Sequence, residues 1–104
     1  METELAQLTS SGATVVVKLM ALDRWAVDKA RVVDLLCHGR LPGEVDDLEG
    51  ELEQERGEVT AALRRADPAV ITDLEMVWRS RLGRLLRETP SAAILLRELV
   101  RDSP

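Results

Sequence analysis

Apolar residues recur every three or four positions along most of the chain, which is the spacing of amphipathic α-helices. The clearest case is a segment from about Pro68 to Arg87, where Asp67 followed by Pro68 forms a helix-start signal. Its broad apolar face contains Val70, Ile71, Leu74, Val77, Trp78, Leu82, Leu85 and Leu86. We therefore predict a fourth helix here, at the centre of the hydrophobic core.

A third helix is predicted from about Glu44 to Ala66, where the apolar positions follow a heptad. The a and d positions are Val45, Leu48, Leu52, Val59, Ala62 and Ala66, with Glu55 interrupting the series at a d position. An apolar seam this narrow buries little surface, so the helix needs a neighbour to be stable.

Two further helices are predicted in the first part of the chain. The first spans about Thr3 to Met20, and Ser and Gly in "TSSG" at 9–12 lower its helix propensity, so two short helices are the alternative. The second spans about Arg24 to Cys37, with Asp23 as its N-cap. Gly39 then suits a left-handed C-cap and Pro42 a stop.

The last helix is predicted from about Pro90 to Val100 and is apolar over most of its girth. Such a helix is either well buried or exposes an apolar patch to a partner. Because the connections are short, consecutive helices should be antiparallel neighbours. The sequence thus predicts a single all-α domain over residues 1–104, a compact antiparallel bundle of four to five helices.

The composition agrees with a helical protein of the cytoplasm. The chain has 17 Leu, 11 Ala and 11 Val but no Phe or Tyr, and Leu and Ala are good helix formers. One cysteine, Cys37, excludes an internal disulfide and fits a reducing compartment. The first residues are acidic, unlike a signal peptide, and the apolar stretch from Ala13 to Leu22 is too short to span a bilayer. We expect no association with membranes.

Charge is segregated along the chain. Residues 44–58 contain eight carboxylates and one arginine, whereas residues 64–101 contain eight arginines and five acids. If the third helix packs along the fourth, these charges can pair within one molecule, although exposed ion pairs contribute only about 0–1 kcal/mol each. The acidic excess leaves the third helix incompletely neutralised.

An acidic exterior beside a narrow apolar seam is typical of a solvated face, and also of a helix that binds itself or a basic partner. We predict a protein-interaction, oligomerisation or adaptor module that binds a protein partner or forms a homo-oligomer. The predicted contact residues lie on the third helix and, as second choice, on the fifth: Leu48, Glu49, Leu52, Glu53, Glu55, Val59, Leu95 and Leu99.

The alternative function is a small nucleic-acid-associated regulator. Arg79, Arg81, Arg84 and Arg87 cluster on and beside the polar side of the fourth helix, as in part of a DNA-recognition helix. The net charge of −5 and the absence of a basic tail argue against this interpretation.

Residues for catalysis or cofactor binding are few. Cys37 and His38 are adjacent, so on a helix they point about 100° apart, and no second imidazole or thiol completes a metal site. Trp25 and Trp78 lie among leucines at helical spacing and are predicted core residues. We expect no enzyme activity, no metal and no cofactor.

The chain resembles a group of small uncharacterised helical proteins common in actinobacteria such as Streptomyces. The likeness lies in "SGATVVVKLMALDRW" (11–25), the acidic helix, and "LEMVWRSRLGRLLRETPSAAILLRELV" (74–100). The resemblance implies an accessory or adaptor role. It also implies a Gly-, Thr- and Val-rich tail after the helical domain of many members, and this sequence stops at Pro104 without one.

Overall fold

The first helix runs through the weak "TSSG" segment without a break. The computed structural model describes residues 2–37 and 42–102, in which all regular secondary structure is helical. The five helices are α1 (Glu2–Met20), α2 (Trp25–Leu36), α3 (Pro42–Arg64), α4 (Pro68–Glu88) and α5 (Ala92–Asp102). The predicted all-α bundle of four to five helices is therefore confirmed, and the described residues form five.

Gly12 lets α1 approach its neighbours closely. A Cβ atom at this position would lie 2.7 Å from Leu96 Cδ1 of α5 and 3.1 Å from Leu82 Cδ1 of α4. The residue that lowers helix propensity is thus the one that fits the packing, and tertiary contacts outweigh the local preference.

The centre of the bundle is α1, which packs against all four other helices and most extensively against α4. Its buried apolar residues in the second half of the helix are Ala13, Val16, Val17, Leu19 and Met20. Trp25 and Trp78 are at most 1% exposed, which confirms the prediction that both are core residues.

Several predicted helix boundaries differ from the structure. Pro42, predicted to stop α2, is the first residue of α3. At this position the backbone N–H has no partner within the helix, so proline loses no hydrogen bond, and its fixed φ suits the helix. The N-cap of α2 is Arg24 rather than Asp23, without a side-chain cap. Helix α5 begins at Ala92, because turn hydrogen bonds to the carbonyls of Thr89 and Pro90 precede it.

Ala66 ends α3 instead of extending its seam. Its φ is 53°, in the left-handed region, and its N–H donates to the Leu63 carbonyl. The Asp67 N–H donates to the Ala62 carbonyl at 2.9 Å. These two bonds form a Schellman motif, in which alanine stands at the position that favours glycine. The predicted seam position at Ala66 was therefore wrong.

Candidate functional site on the third and fourth helices

The apolar residues predicted to meet a partner face the protein's own core. Leu48, Leu52, Val59 and Leu99 are buried, and Leu95 is half-buried against the same core. The heptad seam of α3 is therefore covered by α1, α2 and α4 within one chain. Val45, also on that seam, has a side chain outside the described residues.

Glu53 joins α3 to α2. Its Oε1 accepts a hydrogen bond from Trp25 Nε1 at 3.1 Å and another from Lys29 Nζ at 2.9 Å. The bond from Lys29 is the main cause that lowers the pKa of Glu53, and Trp25 and Arg56 lower it further against a partial desolvation. Glu53 therefore satisfies the polar edge of a buried tryptophan.

Glu55 lies between α3 and α4, beside Trp78, as Glu53 lies between α3 and α2 beside Trp25. The Glu55 carboxylate lies 3.9 Å from Arg81 Nη1, and the Trp78 indole N–H faces it without a hydrogen bond of ordinary geometry. Oε2 of Glu55 is buried without a partner among the described residues. Burial raises the pKa of Glu55, and the attraction of Arg81 opposes this only in part.

Arg81 is the arginine through which α4 meets the acidic helix. Its Nη2 donates to Glu51 Oε2 at 3.2 Å, and its guanidinium lies 4.8 Å from the centre of the Trp78 ring. An arginine stacked on an indole and paired with two carboxylates has to give up these contacts to bind a phosphate. Among the described residues, the segregated charges of α3 and α4 therefore meet at Arg81.

Arg56, the one arginine of the acidic segment, has a structural role. Its Nε donates to the Met20 carbonyl at 3.2 Å. That carbonyl belongs to the last residue of α1, where helix geometry leaves backbone oxygens without a partner. The side chain thus caps the central helix.

The other arginines of the predicted nucleic-acid face point in different directions. Arg79, Arg84 and Arg87 are exposed, but Arg79 and Arg84 are five residues apart and so about 140° apart around the helix. With Arg81 engaged by Glu51 and Trp78, the four side chains do not form one basic surface. The arrangement does not favour nucleic-acid binding.

A groove opens between the end of α2, the first half of α3 and the middle of α4. It has a volume of about 490 Å³ and is lined by Leu36, Leu48, Val77, Ser80, Arg81, Arg84 and Leu85. Val77 at its edge is 54% exposed, and the neighbouring Met76 is 58% exposed. The sequence assigned Val77 to the core face of α4, and the structure corrects this because Val77 lies about 100° from the buried Trp78.

Four residues at the groove side of α4 form one stripe, which we call the α4 stripe: Asp73, Val77, Ser80 and Arg84. Their spacing of four, three and four residues places them within about 60° of one another on the helix. All four are exposed. The sequence contains this spacing, but polar residues at most of its positions concealed it beside the stronger apolar face.

Within the described ranges, no group of three His, Cys, Asp or Glu side chains could hold a metal ion. Cys37 is half-buried against the core, and His38 lies outside the described residues. Among the helices described, none combines the length and apolarity needed to cross a bilayer. Comparison with known protein families, curated proteins and solved structures found no match for the chain.

Proposed function

We propose that this chain is a protein-interaction module whose docking surface lies on α4 rather than on the seam of α3. The observation that supports it is that Met76 and Val77 each leave more than half of their surface in water on α4, with Val77 at the rim of a groove lined by both apolar and polar residues. The two side chains point about 100° apart, and the exposed Asp73 and Ser80 lie between them around the helix. Exposed apolar side chains rimmed by polar residues are typical of an interface.

The exposed residues of the proposed docking surface are not the residues that stabilise the bundle. The residues of α4 that hold the core together, Trp78, Leu82 and Leu85, lie on the opposite side from Met76. The docking face can therefore bind a partner while the core stays intact. Of the partner residues predicted on α3, the carboxylates of Glu49 and Glu53 remain exposed near the surface, so electrostatics can still orient a partner.

The proposal is tested by site-specific photo-crosslinking in the cells that make the protein. A photoreactive phenylalanine replaces Val77 in one variant and Arg97, an exposed residue of α5, in the control. We expect a discrete adduct from position 77 only, weakened by Met76→Glu. The protein found in the adduct is then purified and must bind the wild-type chain.

Absence of any adduct from position 77, or the same adducts from both positions, would overturn the proposal. Loss of binding in the Met76→Glu variant counts only if its helical circular dichroism equals that of the wild type. Met76 is more than half exposed, so we expect the fold to survive the substitution.

A further inference from the structure

The α4 stripe carries one acid and one base that the chain itself does not pair. Asp73 and Arg84 are both exposed, and neither forms an ion pair or hydrogen bond with another described residue. They are eleven residues apart, so about 16 Å of helix separates them and they cannot reach each other. Each charge is therefore available to a second molecule.

The positions of these charges are symmetric. Asp73 precedes Val77 by four residues and Arg84 follows Ser80 by four, so the outer pair and the inner pair have the same midpoint, between Trp78 and Arg79. A two-fold axis at that midpoint brings a second α4 alongside in the antiparallel direction. Val77 then faces Ser80 of the second copy, and Asp73 faces Arg84 of the second copy. Because of the two-fold symmetry, each of these contacts occurs twice.

We infer that the α4 stripe docks on the α4 stripe of a second copy of this chain, as an antiparallel two-fold helix pair closed by two Asp73–Arg84 ion pairs. The inference rests on the proposed function and names its partner. The heptad-like spacing of the stripe is the one by which helices pack at a shallow angle, and the small Ser80 gives the opposing valine room.

Charge also sets the conditions under which the pair forms. Each copy carries a net charge of −5, and this general repulsion opposes association at low ionic strength. At about 0.15 M salt the repulsion acts only within about 8 Å, whereas directly opposed side chains still attract. The stripe has little apolar surface, so we expect a reversible dimer rather than an obligate one.

The experiment is a charge-swap cycle read by sedimentation equilibrium at about 0.15 M salt, with protein up to about 1 mM. For the wild type we expect a mass that rises with concentration from 11.5 kDa toward twice that value. Asp73→Arg and Arg84→Asp each turn two attractive contacts into two repulsive ones, so each should weaken the dimer about tenfold or more. The double swap restores opposite charges and should recover the wild-type dissociation constant.

A control variant separates this effect from the change in net charge. Arg97→Asp makes the same change in charge as Arg84→Asp, at an exposed position on a different helix, α5. It should leave the dissociation constant within about twofold of the wild type, as expected for a site outside the contact. Circular dichroism verifies that all variants are folded.

Two results would overturn the inference. A wild type that stays monomeric up to about 1 mM excludes the second copy as the occupant. Single variants that weaken the dimer without recovery in the double swap exclude the antiparallel register. In either case an adduct from position 77 with a different protein would leave the proposed function standing, whereas no adduct at all would remove both.

Discussion

The indole N–H of Trp25 donates to Glu53 Oε1 at 3.1 Å, across 28 positions of sequence. Trp25 is 1% exposed, and its indole N–H, the one polar group of its side chain, finds a partner at the edge of the core. Glu53 supplies that acceptor from α3 while its second interaction, with Lys29, remains at the surface. One carboxylate of the acidic segment thus fixes the position of α3 against α2.

Removal of this acceptor should destabilise the fold. We expect Glu53→Ala to lower the free energy of unfolding by about 1–3 kcal/mol, because the indole N–H is left buried without a partner. Urea denaturation measures the change. Glu49→Ala, an exposed carboxylate one turn earlier, should stay within about 0.5 kcal/mol of the wild type.

The variant Glu53→Gln refines this prediction. Its amide oxygen can still accept the hydrogen bond from Trp25, but it lacks the negative charge that attracts Lys29. Its loss of stability should therefore be smaller than that of Glu53→Ala. Equal losses in the two variants would show that the ion pair with Lys29, and not the indole, accounts for the effect.

Glu55 should make the free energy of unfolding fall as the pH rises, whereas a carboxylate whose pKa is lowered by an ion pair makes it rise. Its pKa is raised by burial, so between pH 4.5 and its folded-state pKa the folded protein binds more protons than the unfolded chain. The stabilising contribution is complete below pH 4.5 and is lost as the pH rises through the folded-state pKa. Glu55→Gln should thus gain stability relative to the wild type as the pH rises.

The measurement is a series of urea titrations from about pH 4 to pH 8, which begins near the ordinary glutamate pKa of about 4.3 and covers the higher pH values to which burial shifts the titration of a carboxyl group. Glu49→Gln, measured in parallel, corrects for the general loss of one negative charge. A difference between wild type and Glu55→Gln that stays constant over this range, or falls with pH, would contradict the assigned effect of burial.

Two glycines in this fold lead to opposite expectations. Gly12→Ala introduces a Cβ atom 2.7 Å from Leu96 Cδ1 and 3.1 Å from Leu82 Cδ1. Overpacking of a core generally costs about 1–3 kcal/mol, which equals or exceeds the roughly 1 kcal/mol gained in helix propensity, so Gly12→Ala should not stabilise the protein. A Cβ atom at Gly57 would meet no neighbouring side chain within 4 Å, so Gly57→Ala should stabilise the protein. Thermal unfolding compares the two, and stabilisation by both would show that Leu96 adjusts freely.

The end of α3 should improve with glycine. Ala66 has a φ of 53°, a conformation that costs an L-residue about 1–2 kcal/mol and glycine little. We expect Ala66→Gly to raise the free energy of unfolding by roughly 0.5–1 kcal/mol, after the greater backbone entropy of glycine is subtracted. Ala61→Gly, inside the same helix, should lower the free energy of unfolding by about 1 kcal/mol. If both variants lose stability, the conformation of Ala66 is not strained.

Local patterns predicted the helices because each pattern acts within one or two turns. The periodic apolar face of α4 and the Asp67-Pro68 start signal were sufficient to place that helix. The same reasoning misplaced two helix ends. Pro42 was predicted to stop α2, but it begins α3, because a proline fits both positions. Helix α3 was predicted to continue through Ala66, but it ends at Arg64, because the local pattern does not show the left-handed conformation of Ala66.

The candidate site was less predictable than the helices. The seam of α3 was interpreted correctly as apolar, but Leu52 and Val59 meet the core of their own chain. Periodicity identifies which face of a helix is apolar and does not identify what covers that face. Met76 and Val77 were missed as surface residues for the same reason.

The helical character of the chain, the burial of Trp25 and Trp78, and the separation of acidic from basic residues could all be predicted from local sequence. Local sequence did not predict that α1 is the central helix, that Gly12 is a packing residue or that Arg81 meets Glu51. The first group depends on interactions between near neighbours in sequence, which composition and spacing record. The second depends on which helices approach one another, and that is set by the shape of side chains distant in sequence.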